Sequence, residues 1–452
     1  MQRTVRTFLA LGVAGTVMSI GLTACTPLTQ PDGAGTIEPP SESAQSPSGS
    51  PRPPAPLVPL VWADGTKLTF NERSLDDARE ATKDEDFTEV FSTFDMQTDK
   101  TAFVPLGVEP SGTPVGLHGT RLSKKDFEES GNRIDPESMQ IGRYVGKSFE
   151  PFTTSGALKK KYIPRGVSSI SVTDTGITWS ENDSMDDGTP GWRVLGVSPG
   201  TTDVRILAAQ TPVDGPGSGF DVQQVSAPLF VDERVYWNFF RPHDDDGSMV
   251  FKILSANFKN PTAVREELGP DGAGRESDGE NVYIWGDGLA SVAEVQDDSD
   301  HGISQTISAY IPGEKQREIL HLENSEEVLS GDAGRMQLRG SDGQVLSVVF
   351  GGDLFLVDPD SRQTEMFRGP RDSWVVGVTH CGTRISWTYA QEPEFMPTER
   401  YVFDRDSNEL SVVPGAQPDG SGWCSGDYIG WSPGDPEIGG VNTWDVITRW
   451  AS

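Results

Sequence analysis

The sequence predicts an all-β chain assembled from repeated four-stranded units, on three observations. A Trp or other aromatic returns about every 50 residues: Trp179 and Trp431 lie 252 residues apart across five intervals. Each such strand is β-branched and follows a turn rich in Asp, Gly or Ser, the chemistry of a tight hairpin. Helical spacing of apolar residues is confined to one short stretch near residue 75, where Ser74 and Asp77 would cap a helix over Leu75–Thr82.

From about Tyr162 the first hairpin recurs six times. Ser171 to Trp179 turns at Asp174-Thr175-Gly176, Phe230 to Trp237 at Asp232-Glu233, and Ser277 to Trp285 at Asp278-Gly279. Ser341 to Phe350 turns at Asp342-Gly343, Cys381 to Trp387 at Gly382-Thr383, and Cys424 to Trp431 at Gly426-Asp427. A second hairpin follows in most units. Trp192–Val197 meets Val204–Leu207 across Ser198-Pro199-Gly200, and Leu354–Val357 meets Thr364–Phe367 across Asp358-Pro359-Asp360-Ser361. Arg400–Phe403 meets Leu410–Val413 across Asp404-Arg405-Asp406-Ser407-Asn408, while Ile307–Ile311 with Pro312-Gly313 fits more loosely. Two hairpins make four antiparallel strands per unit.

Propeller blades run about 40–50 residues. The series resembles a β-propeller of the broad WD40, kelch and quinoprotein-like class, although no unit carries one family's signature. The last unit, ending with Val441–Trp450, is one strand short, and Leu57–Phe70 is expected to supply the missing outer strand. Thr88–Pro151 then holds one irregular blade with strands at Thr101–Val108 and Ile141–Phe149. The expected fold is a propeller of seven four-stranded blades, with six or eight as alternatives, spanning 57–452.

The N-terminus carries an address. Arg3 and Arg6 precede an uncharged apolar run from Phe8 to Ile20, the layout of a secretory signal and too short to span a bilayer, which takes about 20 apolar residues. Leu22-Thr23-Ala24-Cys25 resembles the lipobox of bacterial lipoproteins. That resemblance implies a signal peptide over 1–24, cleavage before Cys25, and acylation of Cys25. Residues 25–56 are dominated by Pro, Ser, Gly, Thr and Ala, and are expected to form a disordered tether whose r.m.s. span is on the order of 30 Å. The implied location is the extracytoplasmic face of a cell membrane, held by lipid.

The formal net charge is −31, and removing Arg3 and Arg6 with the signal takes it to −33. Such a surface repels nucleic acid and anionic lipid, so neither is an expected partner beyond the lipid anchor itself. Of the 3 cysteines, Cys381 and Cys424 remain once Cys25 is lipidated. An even remainder in an oxidising compartment, at matching places in consecutive units, predicts one disulfide between them.

Candidate chemistry is sparse. His243-Asp244-Asp245-Asp246-Gly247, Asp358-Pro359-Asp360 and Asp404-Arg405-Asp406-Ser407-Asn408-Glu409 lack the twelve-residue ligand spacing of a calcium loop, and two of them fall where a hairpin must turn. Asp174-Thr175-Gly176-Ile177-Thr178-Trp179 resembles a sialidase-type Asp box with Val172 in the serine position, but Asp boxes are structural turns. Gly142-Arg143-Tyr144-Val145-Gly146-Lys147-Ser148 has one residue too few between its glycines for a phosphate loop. His118, His243, His301, His321 and His380 are too scattered for a zinc site, and Lys159-Lys160-Lys161 reads as a solvated loop. No catalytic residue, cofactor or metal site is expected. The functional expectation is a lipid-anchored binding or scaffold platform for an envelope protein or a cell-wall component, using loops such as Glu181–Pro190 and Asp297–Ser304. The alternative is an exported propeller-fold glycan hydrolase or lyase. A solute-binding lipoprotein is disfavoured because those proteins are built from two α/β lobes. Carboxylates and arginines clustered at the channel would favour the enzyme.

Overall fold

The computed structural model describes residues 60–93, 100–123, 125–126, 133–154, 167, 170–183, 191–209, 224–225, 228–242, 249–261, 263–268, 282–296, 303–311, 314, 316–322, 335–370, 373–391, 396–413, 423–431 and 445–451. Cys25, the expected signal over 1–24 and the expected tether over 25–56 lie outside them.

The strands form seven sheets in a ring, a seven-bladed β-propeller. Blade 1 runs outward from the axis as Thr101–Val108, Pro114–Thr120, Gln140–Val145 and Ser148–Pro151. Blade 2 is Ile170–Val172, Ile177–Asp183, Gly191–Val197 and Asp203–Ala209. Blade 3 has Gln224–Val225 and Leu229–Val231 innermost, then Arg234–Pro242, Met249–Asn257 and Arg265–Leu268. Blade 4 is Val282–Trp285, Gly288–Gln296, Ile303–Tyr310 and Arg317–Leu322, and blade 5 is Gln337–Ser341, Leu346–Phe350, Asp353–Asp358 and Gln363–Phe367. Blade 6 is Ser373–Cys381, Arg384–Gln391, Met396–Asp404 and Glu409–Val413. Blade 7 takes Trp423–Ser425, Tyr428–Trp431 and Val446–Trp450 from the end of the chain and Phe87–Ser92 from its beginning.

Successive side chains of a strand point to opposite faces, so a blade packed on both sides needs apolar residues at odd and even positions alike. Leu346–Phe350 shows this. Leu346, Val348 and Phe350 enter the core shared with blade 4, and Val349 enters the core shared with blade 6. Buried clusters of this kind fill the junctions of blades 1 and 2, 2 and 3, 3 and 4, 4 and 5, 5 and 6, and 6 and 7. The recurring aromatics sit in them: Trp179, Trp237 and Trp387 are almost wholly buried on the second strands of blades 2, 3 and 6.

The turns obey local chemistry. Asp358 Oδ1 accepts from the backbone N–H of Asp360 and Ser361 at 2.9 and 3.1 Å, and Asp404 Oδ1 does the same for Asp406 and Ser407 at 3.0 and 3.3 Å. Their carboxylates are thus engaged in closing Asx-type turns. In the Asp174 segment the Thr173 N–H donates to the Gly176 carbonyl at 2.9 Å, a tight hairpin turn. Gly142 and Gly146 likewise belong to one hairpin, with Gly146 at φ 62° in its turn.

Three expectations are corrected. The closing strand is Phe87–Ser92, not Leu57–Phe70. Phe87 fits against Trp431 and Trp450, with ring centroids 5.7 and 5.4 Å away, whereas Leu60 and Trp62 are buried in the core of blades 4 and 5. Leu60–Trp62 instead pairs antiparallel with Arg317–Leu322 at the outer edge of blade 4. The helix over Leu75–Thr82 is a single 3-10 turn, Leu75–Asp77, capped by Ser74 Oγ, which accepts from the Asp76 N–H at 3.2 Å. Pairing of Arg79–Glu80 with blade 6 overrides any continuation. Finally, Trp285 lies on an innermost strand that turns at Gly286-Asp287, one strand earlier in its blade than Trp179, Trp237, Trp387 and Trp431. The Ser277-Asp278-Gly279 turn lies outside the described residues.

Between Leu60 and Ser92 the chain forms a belt. Leu60–Trp62, Asn71–Arg73 and Arg79–Glu80 add in turn to the outer edges of blades 4, 5 and 6 before Phe87–Ser92 completes blade 7.

Candidate functional site

The innermost strands wall the central channel and are apolar or small in composition: TAFVPLGV in blade 1, LFV in blade 3, VYIW in blade 4, SWVVGVTHC in blade 6. Among the described residues they carry no Asp or Glu. Apart from the bridged cysteines, their ionisable side chains are Tyr283, Arg339 and His380, on the consecutive blades 4, 5 and 6.

Arg339 is placed by a β-bulge. Leu338 pairs with Val348 and Gly340 with Ser347, so Arg339 is the extra residue between them. A bulge re-aims the side chain it adds, and bulges recur next to functional sites. Arg339 is half-buried, and its Nε donates to Gln337 Oε1 at 3.0 Å while its Nη2 donates to the same oxygen. Two of the five guanidinium N–H groups are therefore used by one neutral acceptor. The acid nearest to it in sequence on its own blade, Asp342, is occupied: Oδ2 accepts from Arg405 Nη2, and Oδ1 from the backbone N–H of Gln344 and Val345 at 2.9 and 2.7 Å. Among the described residues no carboxylate lies within ion-pair reach of Arg339. Burial pushes the Tyr283 phenol up to about 12, with Arg339 pulling the other way, which puts the two groups in each other's field.

On the other side of the bulge, Gly340 makes room for His380: a Cβ there would lie 2.7 Å from the imidazole Cδ2. His380 Nε2 and Ser347 Oγ are 2.7 Å apart, and His380 Nδ1 is buried without a partner. Burial lowers the His380 pKa to about 4, helped by Arg405 and opposed by Asp342, so the ring is neutral at pH 7. A serine beside a neutral histidine has the form of a nucleophile and its base. Ser347, however, is wholly buried on the second strand of blade 5. The pair fastens blade 5 to blade 6 and offers no attacking oxygen to a substrate.

Elsewhere arginines crossing between blades are matched to acceptors. Arg405 meets Asp342 between blades 5 and 6, Arg384 meets Asp427 at 3.5 Å between 6 and 7, and Arg133 meets Asp445 at 2.9 Å between 7 and 1. Arg205 is used on Ser198 Oγ at 2.6 Å and on the Phe258 ring, 5.8 Å away.

The junction of blades 7 and 1 differs. Phe91 lies 5.9 Å from Phe103 and from Tyr144, Phe103 lies 5.0 Å from Tyr144, and His118 stacks on Phe149 at 4.6 Å. Burial lowers the His118 pKa and raises that of Tyr144. All but Phe103 remain partly exposed.

Cys381 and Cys424 form a disulfide between the innermost strands of blades 6 and 7, with Cα atoms 5.5 Å apart. Cys25, His243, His301, Lys159–Lys161 and the loops at 184–190 and 297–302 lie outside the described residues. Glu181, the first residue of one loop expected to bind, is instead buried in a strand, accepting from Trp179 Nε1 at 2.7 Å and from Arg193 Nε at 2.9 Å. His321 Nδ1 lies 3.3 Å from Thr306 Oγ1 within blade 4. Sequence reasoning missed Arg339. The available signal was a single cation beside a glycine in an innermost strand, Leu338-Arg339-Gly340.

No protein-family model matches the chain, and no curated protein matches it. Among solved structures it is similar to a puromycin-hydrolyzing peptidase of Mycobacterium tuberculosis, at 11% identity and TM-score 0.44, over 79% of this chain and 53% of that one. It is similar to an acylaminoacyl peptidase of Pyrococcus horikoshii, at 8% identity and TM-score 0.44, over 78% of this chain and 52% of that one. A third is the β-propeller domain of the Trilobed protease from Pyrococcus furiosus, at 10% identity and TM-score 0.32, over 62% and 93%. The chain spans about half the length of the first two. Likenesses this loose carry no argument about activity.

Proposed function

We propose that this protein is an exported lipoprotein, anchored through Cys25 at the outer face of a cell membrane, whose propeller is a binding platform for an envelope protein or a wall component. The observation that carries the reading is the make-up of the inner wall. A glycosidase needs two carboxyl groups facing each other about 5–9.5 Å apart. The described inner strands present there a guanidinium, a phenol and a neutral imidazole on a frame of apolar side chains packed between blades. Such a ring is a rigid support for loops, the part of a propeller that engages partners. Leu22-Thr23-Ala24-Cys25, the proline-rich stretch behind it and the acidic composition support the location.

The test is capture from gently crosslinked membranes, comparing the native protein with a soluble form beginning at Leu57. One stoichiometric envelope partner recovered with both forms is the expected result. Turnover of a glycan by the soluble form would replace the platform with the hydrolase or lyase reading. Separately, Cys25→Ala should leave the protein unlabelled by palmitate and release it from membranes. Membrane retention of that variant would reject the lipid anchor.

A further inference from the structure

In a chain with a net charge of −31, the channel wall holds Arg339, which has no acid partner among the described residues. Acids are abundant, and several other arginines meet them: Arg73 meets Glu365 at 2.6 Å, Arg143 meets Glu109 at 3.1 Å, Arg234 meets Glu267 at 3.1 Å and Arg368 meets Glu72 at 2.9 Å. Leaving a partly buried cation unmatched is costly unless a ligand completes it.

The geometry points to a carboxylate-binding site at the inner rim of blades 4 and 5, with Arg339 as its anchor and the Tyr283 hydroxyl as a second donor. Gln337 occupies the Nε–Nη2 side of the guanidinium, which fixes its plane and leaves Nη1 and the remaining Nη2 hydrogen pointing end-on. Two parallel N–H donors match the two oxygens of a carboxylate. The Tyr283 hydroxyl has no hydrogen-bond partner among the described residues.

Charge selects the ligand class. The site carries one positive charge, since His380 across the bulge is neutral. A monoanion balances it, whereas a phosphate dianion would be left half-neutralised. The acidic surface also repels polyanions. The fitting ligand is a single carboxylate at the end of an otherwise uncharged molecule, such as the C-terminus of a neutral peptide. This site is independent of the platform reading and would stand without a protein partner.

Isothermal titration calorimetry with the full chain tests it, using N-acetyl-dialanine, its C-terminal amide and inorganic phosphate as probes. The acid should bind at least tenfold more tightly than the amide, a difference of about 1.4 kcal/mol. Arg339→Gln should abolish that preference with unfolding temperature unchanged, Tyr283→Phe should weaken the acid severalfold, and phosphate should bind no more tightly than the acid. Equal binding of acid and amide, a preference that survives Arg339→Gln, tighter binding of phosphate, or no binding of any probe would each overturn the proposal. Should Arg339→Gln fail to fold, the acid–amide comparison on the native protein together with Tyr283→Phe still decides.

Discussion

The junction of blades 5 and 6 and the junction of blades 7 and 1 solve the same packing problem differently. Between blades 5 and 6, Trp387, Phe367, Phe403 and Tyr401 interlock in a core that includes the wholly buried Leu354 and Ile385. Between blades 7 and 1, among the described residues, the contact is a half-exposed aromatic set, the Arg133–Asp445 ion pair and Gly112 lying flat on Tyr428. A Cβ on Gly112 would come within 2.7 Å of that ring, so the turn of blade 1 needs its glycine, which also sits at φ 85°. Neighbours in sequence form the first junction; the two ends of the chain meet at the second. Closure therefore rests on a strand delivered from residue 87 and on a disulfide one junction away, which holds blade 7 to blade 6.

The largest effect should come from breaking the sealed junction. Trp387→Ala is expected to cost about 3–5 kcal/mol in chemical denaturation, as for a buried aromatic whose site cannot collapse. Removing the disulfide with Cys381→Ser and Cys424→Ser, which opens a separation of 43 residues, should cost roughly 3–4 kcal/mol on the chain-entropy model. Hydrogen exchange should then accelerate in blade 7 and the facing strands of blades 1 and 6 while blades 2 to 4 stay protected; uniform acceleration would mean that the ring opens as one unit. His380 provides a pH-dependent handle on the 5–6 junction. Its pKa is lowered in the folded state from the ordinary 6.5 to about 4 by burial, so the unfolded chain binds the proton more readily between those values. Its contribution is complete above about pH 6.5 and falls away as pH drops towards 4, by about 3 kcal/mol at most. His380→Gln should flatten that part of the stability–pH curve relative to the native protein. The smallest effect is expected for Tyr144→Ala at the open junction, about 1 kcal/mol. A loss as large as that of Trp387→Ala would show that the two junctions are equally sealed.

The hairpins were legible in the sequence because Asp-Gly turns and β-branched runs are local signals; counting them gives six units, and the seventh follows only from the strands left over between Thr88 and Pro151. The closing strand was not. Phe87–Ser92 presents Thr88, Glu89 and Val90 to solvent, so it reads as a polar loop until Trp431 and Trp450 are in place against Phe87. Belt strands of two or three residues are too short to carry a period. Trp285 has the same identity and spacing as the other recurring aromatics, yet its blade turns one strand later, a distinction no spacing rule contains. Arg339 escaped notice for a related reason: its exposure depends on one inserted residue in a ladder whose partner strand is also needed to see it.

The belt has a mechanical consequence. A pull on the chain ahead of Leu60 reaches the ring first at the outer edge of blade 4, where backbone pairing is three residues long. It then works past Asp64–Arg362, Glu72–Arg368 and Arg79–Glu409 one contact at a time. Peeling the 27 residues from Leu60 to Asp86 would release roughly 90 Å of extended chain, but only after Leu60, Trp62 and Leu68 are drawn out of the core between blades 4 and 5. Under a pull from that end, yielding begins at the junction of blades 4 and 5, and the strand that closes blade 7 is loaded last.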